Sequence, residues 1–308
     1  MNPAWSVILF TTLAGAAQGM VVTLALSKLA GLPLGPGFVA GVLLIALAML
    51  LASLAASTLH LGHPERAWRA VLMWRTSWLS REVIALPAFI AAVALWWWMV
   101  RSGLGSSRWL MIACTALAAL LWLCTAMIYA CLRFIQEWAH GLTLVNYVLI
   151  GLASGCTLLA ALAAWRHEAT YLALLAPWAL GLTLAAWATR TLALQRNAGL
   201  KPKSTLQSAT GIRHPLLRQH SMGMSAGAFN TREFMHGMGL AVLQRVRWAL
   251  HGLGFALPAL LLAAAIGTGA QGLLALAVLA QAIGLLAERW FFFAQARHPQ
   301  NLYYQVVA

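Results

Sequence analysis

His60 and Glu82 are two ionisable residues that flank long apolar segments of the sequence. His60 follows the second such segment and Glu82 opens the third, so we expect both at the same boundary of a membrane. Histidine titrates near neutral pH, and partial burial moves a carboxyl group toward that range. Such a pair is suited to exchanging protons with a lipid-soluble carrier of two electrons and two protons, a quinone. The same residues would also complement helix dipoles, and this alternative stays open.

The segment between these two residues is rich in arginine, tryptophan and aliphatic side chains. That mixture predicts a helix that lies in the plane of the membrane interface. Pro64 suits the first position of such a helix, and Ser80 is the expected N-cap of the membrane helix that follows. We expect His60 and Glu82 to carry the catalytic proton exchange, and we predict no metal site. The predicted quinone-binding residues are His60, Arg66, Arg81, Glu82 and Glu288.

All 6 acidic residues of the chain are glutamates. Ionisable groups are costly in a bilayer, so those that persist usually serve chemistry, topology or partners. Five of the six fall on one predicted side of the membrane, and only Glu168 falls on the other. Glu288 ends the last apolar segment beside Arg289. We expect most of the remaining glutamates to pair with arginines.

The composition is that of an integral membrane protein, since 62% of the residues are hydrophobic, 8% are charged and the mean hydropathy is +0.80. The apolar runs are continuous rather than alternating, which favours helices over a β-barrel. Eight runs are long enough to cross a bilayer. We predict an all-α protein with eight transmembrane helices in one bundle and a single domain over residues 1–308. The predicted helices are 5–30, 36–60, 82–101, 109–132, 143–165, 171–193, 246–267 and 270–293.

Three pairs of glycines with the spacing GxxxG are expected at close helix contacts, because a missing side chain lets two backbones approach. The pairs are Gly15 and Gly19, Gly37 and Gly41, and Gly151 and Gly155. A chain rich in glycine also produces this spacing by chance, so the pattern does not select the pairs that touch.

An even number of helices places both termini on one side of the membrane, which we call side A. Sixteen of the 20 lysines and arginines fall on side A, whereas Lys28, Arg101, Arg108 and Arg166 fall on the opposite side, side B. Positively charged loops stay in the cytoplasm, so both termini are predicted to be cytoplasmic and the protein to lie in a bacterial inner membrane. Such loops and anionic lipid account for much of the net charge of +14. Nothing in the sequence resembles a nucleic-acid-binding module.

The long loop at roughly 194–245 is the only sizeable segment predicted outside the membrane. Loops of this length are usually functional. We predict that it docks a partner subunit, with Arg213, Arg232 and Glu233 at the contact. An ordered lid over the helices is the alternative.

Two functions from other classes remain open at this point. A haem-binding cytochrome b would need two inward histidines at matching depth, and His60 with His251 is the only plausible pair. A transporter would suit eight helices, but no pair of interrupted half-helices occurs in matching positions. The 4 cysteines contain no CxxC pair, so an iron–sulfur cluster in this chain is not expected.

Several short motifs, taken in their order and spacing over the whole chain, resemble the DmsC family, the membrane anchor subunits of dimethyl sulfoxide reductase-like molybdoenzymes. The motifs are His60-Leu61-Gly62 with Pro64 and Arg66-Ala67, then Ser80-Arg81-Glu82. The resemblance implies a molybdopterin catalytic subunit and an iron–sulfur subunit with four [4Fe–4S] clusters as partners. It also implies that the anchor exchanges electrons with quinone, binds no haem, and uses a histidine and a glutamate at the positions of His60 and Glu82.

A second set of motifs is similar to a subgroup of that family. These are Asn230-Thr231-Arg232-Glu233-Phe234, Glu288-Arg289-Trp290 and the tail Arg297-His298-Pro299-Gln300-Asn301-Leu302-Tyr303-Tyr304. Together with a cytoplasmic side A, they resemble the SoeC subgroup, the anchors of cytoplasmic sulfite-oxidising enzymes. That resemblance implies electron flow from sulfite to ubiquinone or menaquinone. The alternative within the family is an anchor that oxidises menaquinol and supplies a reductase.

Overall fold

A computed structural model of the chain describes residues 1–59, 61–221, 233–234 and 236–303. Helices joined by turns and loops make up these ranges, and no strand occurs in them. Eight of the helices are long and apolar enough to cross a membrane, as the sequence predicts. They are α1 (Trp5–Leu29), α2 (Pro36–Thr58), α3 (Trp78–Arg101), α4 (Arg108–Ala130), α5 (Gly141–Trp165), α6 (Ala169–Ala198), α8 (Leu240–Thr268) and α9 (Gly272–Ala294). The short helix α7 (Leu206–Thr210) lies between α6 and α8, and 3-10 helices cover Pro64–Met73 and Pro299–Tyr303.

The loop between the sixth and seventh membrane helices is shorter than predicted. Helix α6 continues to Ala198 and α8 already begins at Leu240, so the connection covers 199–239 rather than 194–245. The added turns carry polar residues such as Arg196 and Arg245. A helix satisfies its backbone hydrogen bonds internally, so it can extend beyond the hydrocarbon into the polar layer without a loss of hydrogen bonds.

Helices α1 and α5 lie at the centre of the packing. Helix α1 contacts α2, α4, α5 and α9, and α5 also contacts α4, α6 and α9. The close approach of α1 to α5 depends on Gly19 and Gly155, since a Cβ on Gly155 would overlap the backbone nitrogen of Met20. A Cβ on Gly19 would likewise overlap the carbonyl oxygen of Gly151. Two of the three predicted glycine pairs therefore meet at this crossing.

The third predicted pair behaves differently. Among the described residues, nothing lies within 4 Å of where a Cβ on Gly37 or Gly41 would stand, so the expected contact is wrong there. The crossing of α8 and α9 uses a pair that the spacing did not indicate, because a Cβ on Gly284 would overlap Gly254. Gly254 lies in a π-helical turn, Gly252–Ala256, inside α8. The crossing therefore coincides with a local widening of that helix.

The ends of the chain meet the loops of side A and form one surface, which we call the side A cap. It consists of residues 1–4, 131–140, the described part of 199–239, and 295–303. Hydrogen bonds join its parts: Asn2 N to Glu233 O (2.9 Å), Gln136 Nε2 to Lys201 O (3.1 Å) and Tyr303 OH to Ala209 O (2.8 Å). Residues 1–4 and 295–303 thus lie on the same side of the protein. The single domain over 1–308 stays a prediction.

Candidate functional site

Glu82 is placed by the first two turns of α3. The helix begins at Trp78, and the Ser77 hydroxyl accepts a hydrogen bond from Ser80 N (3.3 Å). The prediction of Ser80 as the N-cap is therefore wrong, because the tight turn before the helix brings Ser77 into that position. The earlier start leaves Glu82 in the second turn, where its side chain points inward and is only 6% exposed.

The partner of the Glu82 carboxylate is a hydroxyl on the neighbouring helix. Thr125, five residues before the end of α4 and itself buried, donates its Oγ1 proton to Glu82 Oε1. Neither lysine nor arginine forms an ion pair with Glu82 among the residues that the structure describes. A carboxylate has room for several donors, so this one keeps acceptor capacity for a further group.

Arg81 stabilises the turn that leads into α3 through two hydrogen bonds. Its Nε donates to Trp74 O (2.9 Å), its Nη2 donates to Arg75 O (2.8 Å), and its guanidinium lies 4.2 Å from the ring centre of Trp78. The guanidinium thereby satisfies two carbonyl groups at the end of the preceding helix. Arg81 fixes the direction of the chain immediately before Glu82.

The segment before this turn contains the other predicted boundary residues. Pro64 occupies the start of the 3-10 helix, as expected. Arg66 is exposed and lies 3.7 Å from Glu65, which also contacts His63 at 3.0 Å. Trp68, Leu72, Met73 and Trp74 all expose large apolar surfaces. His60, the other half of the predicted catalytic pair, lies outside the described residues.

Glu288 is held inside the protein by two arginines from different helices. Arg190 Nε in α6 lies 2.7 Å from Glu288 Oε1, and Arg289 Nε lies 2.9 Å from Glu288 Oε2. The three side chains are between 1% and 4% exposed. Arg190 falls inside the sixth predicted span and is counted with the charges of side A, and α6 places its side chain in the interior. This buried cluster has one positive charge in excess.

Two tyrosines lie between the Glu82 pair and the Glu288 cluster. The rings of Tyr129 and Tyr147 are stacked, with centres 6.2 Å apart and planes inclined by 11°. The guanidinium of Arg289 lies 4.1 Å from the ring centre of Tyr147. Tyr147 lines the same cavity as Thr125, the partner of Glu82, and Arg289, the partner of Glu288. Glu82 and Glu288 therefore belong to one polar region that crosses α3, α4, α5 and α9.

Sequence reasoning missed Thr125, Tyr147 and Arg190 as members of this region. Arg190 carried a usable signal, since it falls inside a predicted span and a charge at that depth is functional by default. Thr125 and Tyr147 carried none, because threonine and tyrosine are common in membrane helices.

The long loop and the C-terminal tail, which hold the subgroup motifs, contact each other in the side A cap. Phe234 stacks on His298 with ring centres 4.2 Å apart, and Asn301 Nδ2 donates to Phe234 O (3.3 Å). Burial and then the N-terminal ammonium group lower the pKa values of His298 and His236. Of the predicted docking residues, Arg213 and Glu233 are exposed, and Arg232 lies outside the described residues.

His251, the residue considered as a haem ligand, has a hydrogen-bond partner. Its Nδ1 accepts a hydrogen bond from Trp187 Nε1 at 2.9 Å. Within the described ranges, no three or more histidine, cysteine or carboxylate side chains come together in a way that could hold a metal ion. Glu82 and its buried surroundings are the candidate functional site.

Comparison with known proteins agrees with the motifs. The family described as DMSO reductase anchor subunit (DmsC) matches residues 1–293. The chain is also 45% identical to the C subunit of the sulfite dehydrogenase of Allochromatium vinosum over 326 aligned residues, which cover 100% of both chains. The resemblance expected from the sequence is confirmed over almost the full length. The chain therefore belongs to the DmsC family of DMSO reductase anchor subunits.

Proposed function

We propose that this protein anchors a molybdenum-dependent oxidoreductase in the membrane and exchanges electrons between an iron–sulfur partner and quinone. The observation that carries the proposal is the buried Glu82 carboxylate at the side A boundary, whose one hydrogen bond among the described residues comes from the Thr125 hydroxyl. A buried carboxylate without a counter-charge is costly unless a function retains it. The exposed tryptophans beside it form a surface of the kind that enters the membrane interface.

The residues around Glu82 have different roles in proton exchange with quinone. Quinone takes up two electrons and two protons when it is reduced. Glu82 exchanges one proton with a quinone oxygen, and His60 exchanges the other. Arg81 positions Glu82 by stabilising the turn before α3, and the exposed Arg66 is the proposed contact for the quinone on the water side. Glu288 influences the quinone site indirectly, through Arg289 and Tyr147, since its carboxylate already forms ion pairs with two arginines.

The side A cap is the proposed docking face for the iron–sulfur subunit. Electron transfer requires a short gap, so the last cluster and the quinone must share one face, and Glu82 lies toward this one. The cap contains a cavity of about 420 Å³ that Lys201, Lys203 and Arg297 line together with Glu137. Its excess of positive charge suits an acidic segment of the partner. Arg213, Arg232 and Glu233 extend the same face.

The proposed catalytic reaction of the complex is the oxidation of sulfite, with electrons flowing from sulfite to quinone. The support is the 45% identity to a protein that is named as the C subunit of a sulfite dehydrogenase. The predicted cytoplasmic facing of side A agrees with this direction. The family description favours a second candidate, an anchor that oxidises menaquinol and supplies a reductase.

Two substitutions test the quinone site in the assembled complex. Glu82→Gln and His60→Ala should each lower sulfite-dependent quinone reduction by about 100-fold or more, because they remove a proton-transfer group. Reduction of an artificial dye by the catalytic subunit bypasses quinone and should stay normal. Glu168→Gln is the matched control, since Glu168 lies on side B. Normal quinone reduction in both variants would refute the site.

The direction of electron flow has its own test. The complex should be purified with its partner subunits and supplied either with sulfite and a quinone or with a quinol and dimethyl sulfoxide. Turnover with the first pair alone supports sulfite oxidation. Turnover with the second pair alone would establish the reductase anchor instead.

A further inference from the structure

Three buried polar atoms face one cavity between α1, α4 and α5. They are Thr12 Oγ1, Trp122 Nε1 and the Tyr147 hydroxyl, and none has a hydrogen-bond partner among the described residues. Trp122 and Tyr147 are each only 5% exposed. A buried polar atom without a partner costs about 1–3 kcal/mol. Native proteins usually satisfy such atoms with ordered water when no protein group can reach them.

The size and chemistry of the cavity suit water. Its water-accessible volume is about 20 Å³. A buried water needs at least about 10–15 Å³ and two to four polar partners. The Trp122 nitrogen can only donate, whereas the two hydroxyls can donate or accept, so a water oxygen and its two protons can satisfy all three. Gly151 keeps the indole nitrogen accessible, because a Cβ at that position would stand 2.8 Å from it.

The same cavity connects to Glu82 through a single side chain. Thr125 lines it and donates its hydroxyl proton to Glu82 Oε1. At the other end, Tyr147 and Arg289 line this cavity and also a second one of about 10 Å³. The second cavity reaches Glu137 and His140 in the side A cap. A polar connection thus runs from Glu82 through the interior to the surface of side A.

We propose that ordered water in the first cavity, together with Thr125 and Tyr147, is the route by which Glu82 regains its proton. The proposal rests on the quinone site described above. Thr125 passes its hydroxyl proton to the carboxylate and takes one from the water. The water takes a proton from Tyr147, and Tyr147 takes one from a water molecule in the second cavity, which exchanges with bulk water beside Glu137 and His140. Each group gives one proton and receives one, so the route carries protons without any change in oxidation state.

Substitutions at Thr125 test the route in the intact complex. Thr125→Val keeps the shape but removes the hydroxyl, and it should lower quinone-linked turnover by about tenfold or more and enlarge the solvent isotope effect. Thr125→Ser keeps the hydroxyl and should restore most of the turnover. Thr157→Val is the control, since the buried Thr157 hydroxyl donates a hydrogen bond to the Ala153 carbonyl of its own helix and does not line the cavity. Wild-type turnover and isotope effect in Thr125→Val would overturn the proposal.

A second measurement does not depend on quinone. A cryo-electron microscopy map of the complex that resolves waters should show density in the cavity beside Thr12 and Trp122, and Trp122→Phe should weaken it. Absence of that density would overturn the proposal. Should Glu82→Gln itself turn over quinone normally, the proposed quinone site fails, and the density then tests the water site separately.

Discussion

The Nε of Arg190 lies 2.7 Å from Oε1 of Glu288, and the two side chains are 3% and 1% exposed. The pair joins α6 to α9, and Arg289 completes it with a contact of 2.9 Å to the other carboxylate oxygen. Removing one partner of a buried ion pair leaves an uncompensated charge and strongly destabilises the fold. Replacing both partners by apolar residues changes the stability much less. The cluster is therefore a point where a single substitution has a large effect.

Glu288→Gln should destabilise the protein by about 3–5 kcal/mol, because it leaves two buried arginines without a counter-charge. The measurement is the thermal unfolding midpoint of the detergent-solubilised complex. Arg190→Met in the same chain restores the original excess of one positive charge and should recover part of the loss. If the two substitutions were instead additive, the pair would not be coupled.

Gly155→Ala should destabilise the crossing of α1 and α5 by about 1–3 kcal/mol or more, since the new Cβ would overlap the Met20 backbone. Gly181→Ala is the control, because nothing described lies within 4 Å of its Cβ position. Alanine favours a helix over glycine by about 1 kcal/mol, so the control should be neutral or stabilising. Equal unfolding midpoints for the two variants would contradict the close contact.

Acid should loosen the contact between the N-terminus and the tail. Burial lowers the pKa of the Met1 ammonium from 8.0 to about 6, against the attraction of Glu137, and the pKa values of His236 and His298 are also lowered. Groups with a lowered folded pKa bind fewer protons when docked, so the docked form gains stability as the pH rises from about 6 to 8.

Hydrogen exchange measures this effect. After correction for intrinsic rates, residues 1–4 and 296–303 should exchange faster at about pH 6 than at about pH 8. The side B turn 30–35 contains no titratable side chain and should show no difference. The same protection of the tail at both pH values would refute the prediction.

Reporter fusions test the facing of side A. A reporter that is active only in the periplasm should remain silent when fused after Ala308, because positively charged loops stay in the cytoplasm. The same reporter inserted in the side B loop 102–107 should be active and serves as the control. The reverse pattern would place side A in the periplasm and favour the reductase anchor.

The number and order of the membrane helices could be predicted from the sequence, because an apolar run long enough to cross a bilayer must form a helix there to satisfy its backbone. The family could be predicted as well, from motifs in their order and spacing. The position of Glu82 near the start of the third membrane helix could also be predicted, since an acid at a membrane boundary stands out against apolar neighbours. The helix ends could not, because polar turns of α6 and α8 continue as helix beyond the hydrocarbon.

Only the tertiary structure decided what surrounds Glu82. Thr125 and Tyr147 come from different helices, and only the close crossing of α1 with α5 and the packing of α4 bring them to one polar region. The same packing also made Arg190 an interior partner of Glu288. Hydropathy along the chain determines which segments are buried in the membrane. Which polar side chains meet inside it depends on helix rotation and crossing, and these are determined by contacts between residues far apart in the sequence.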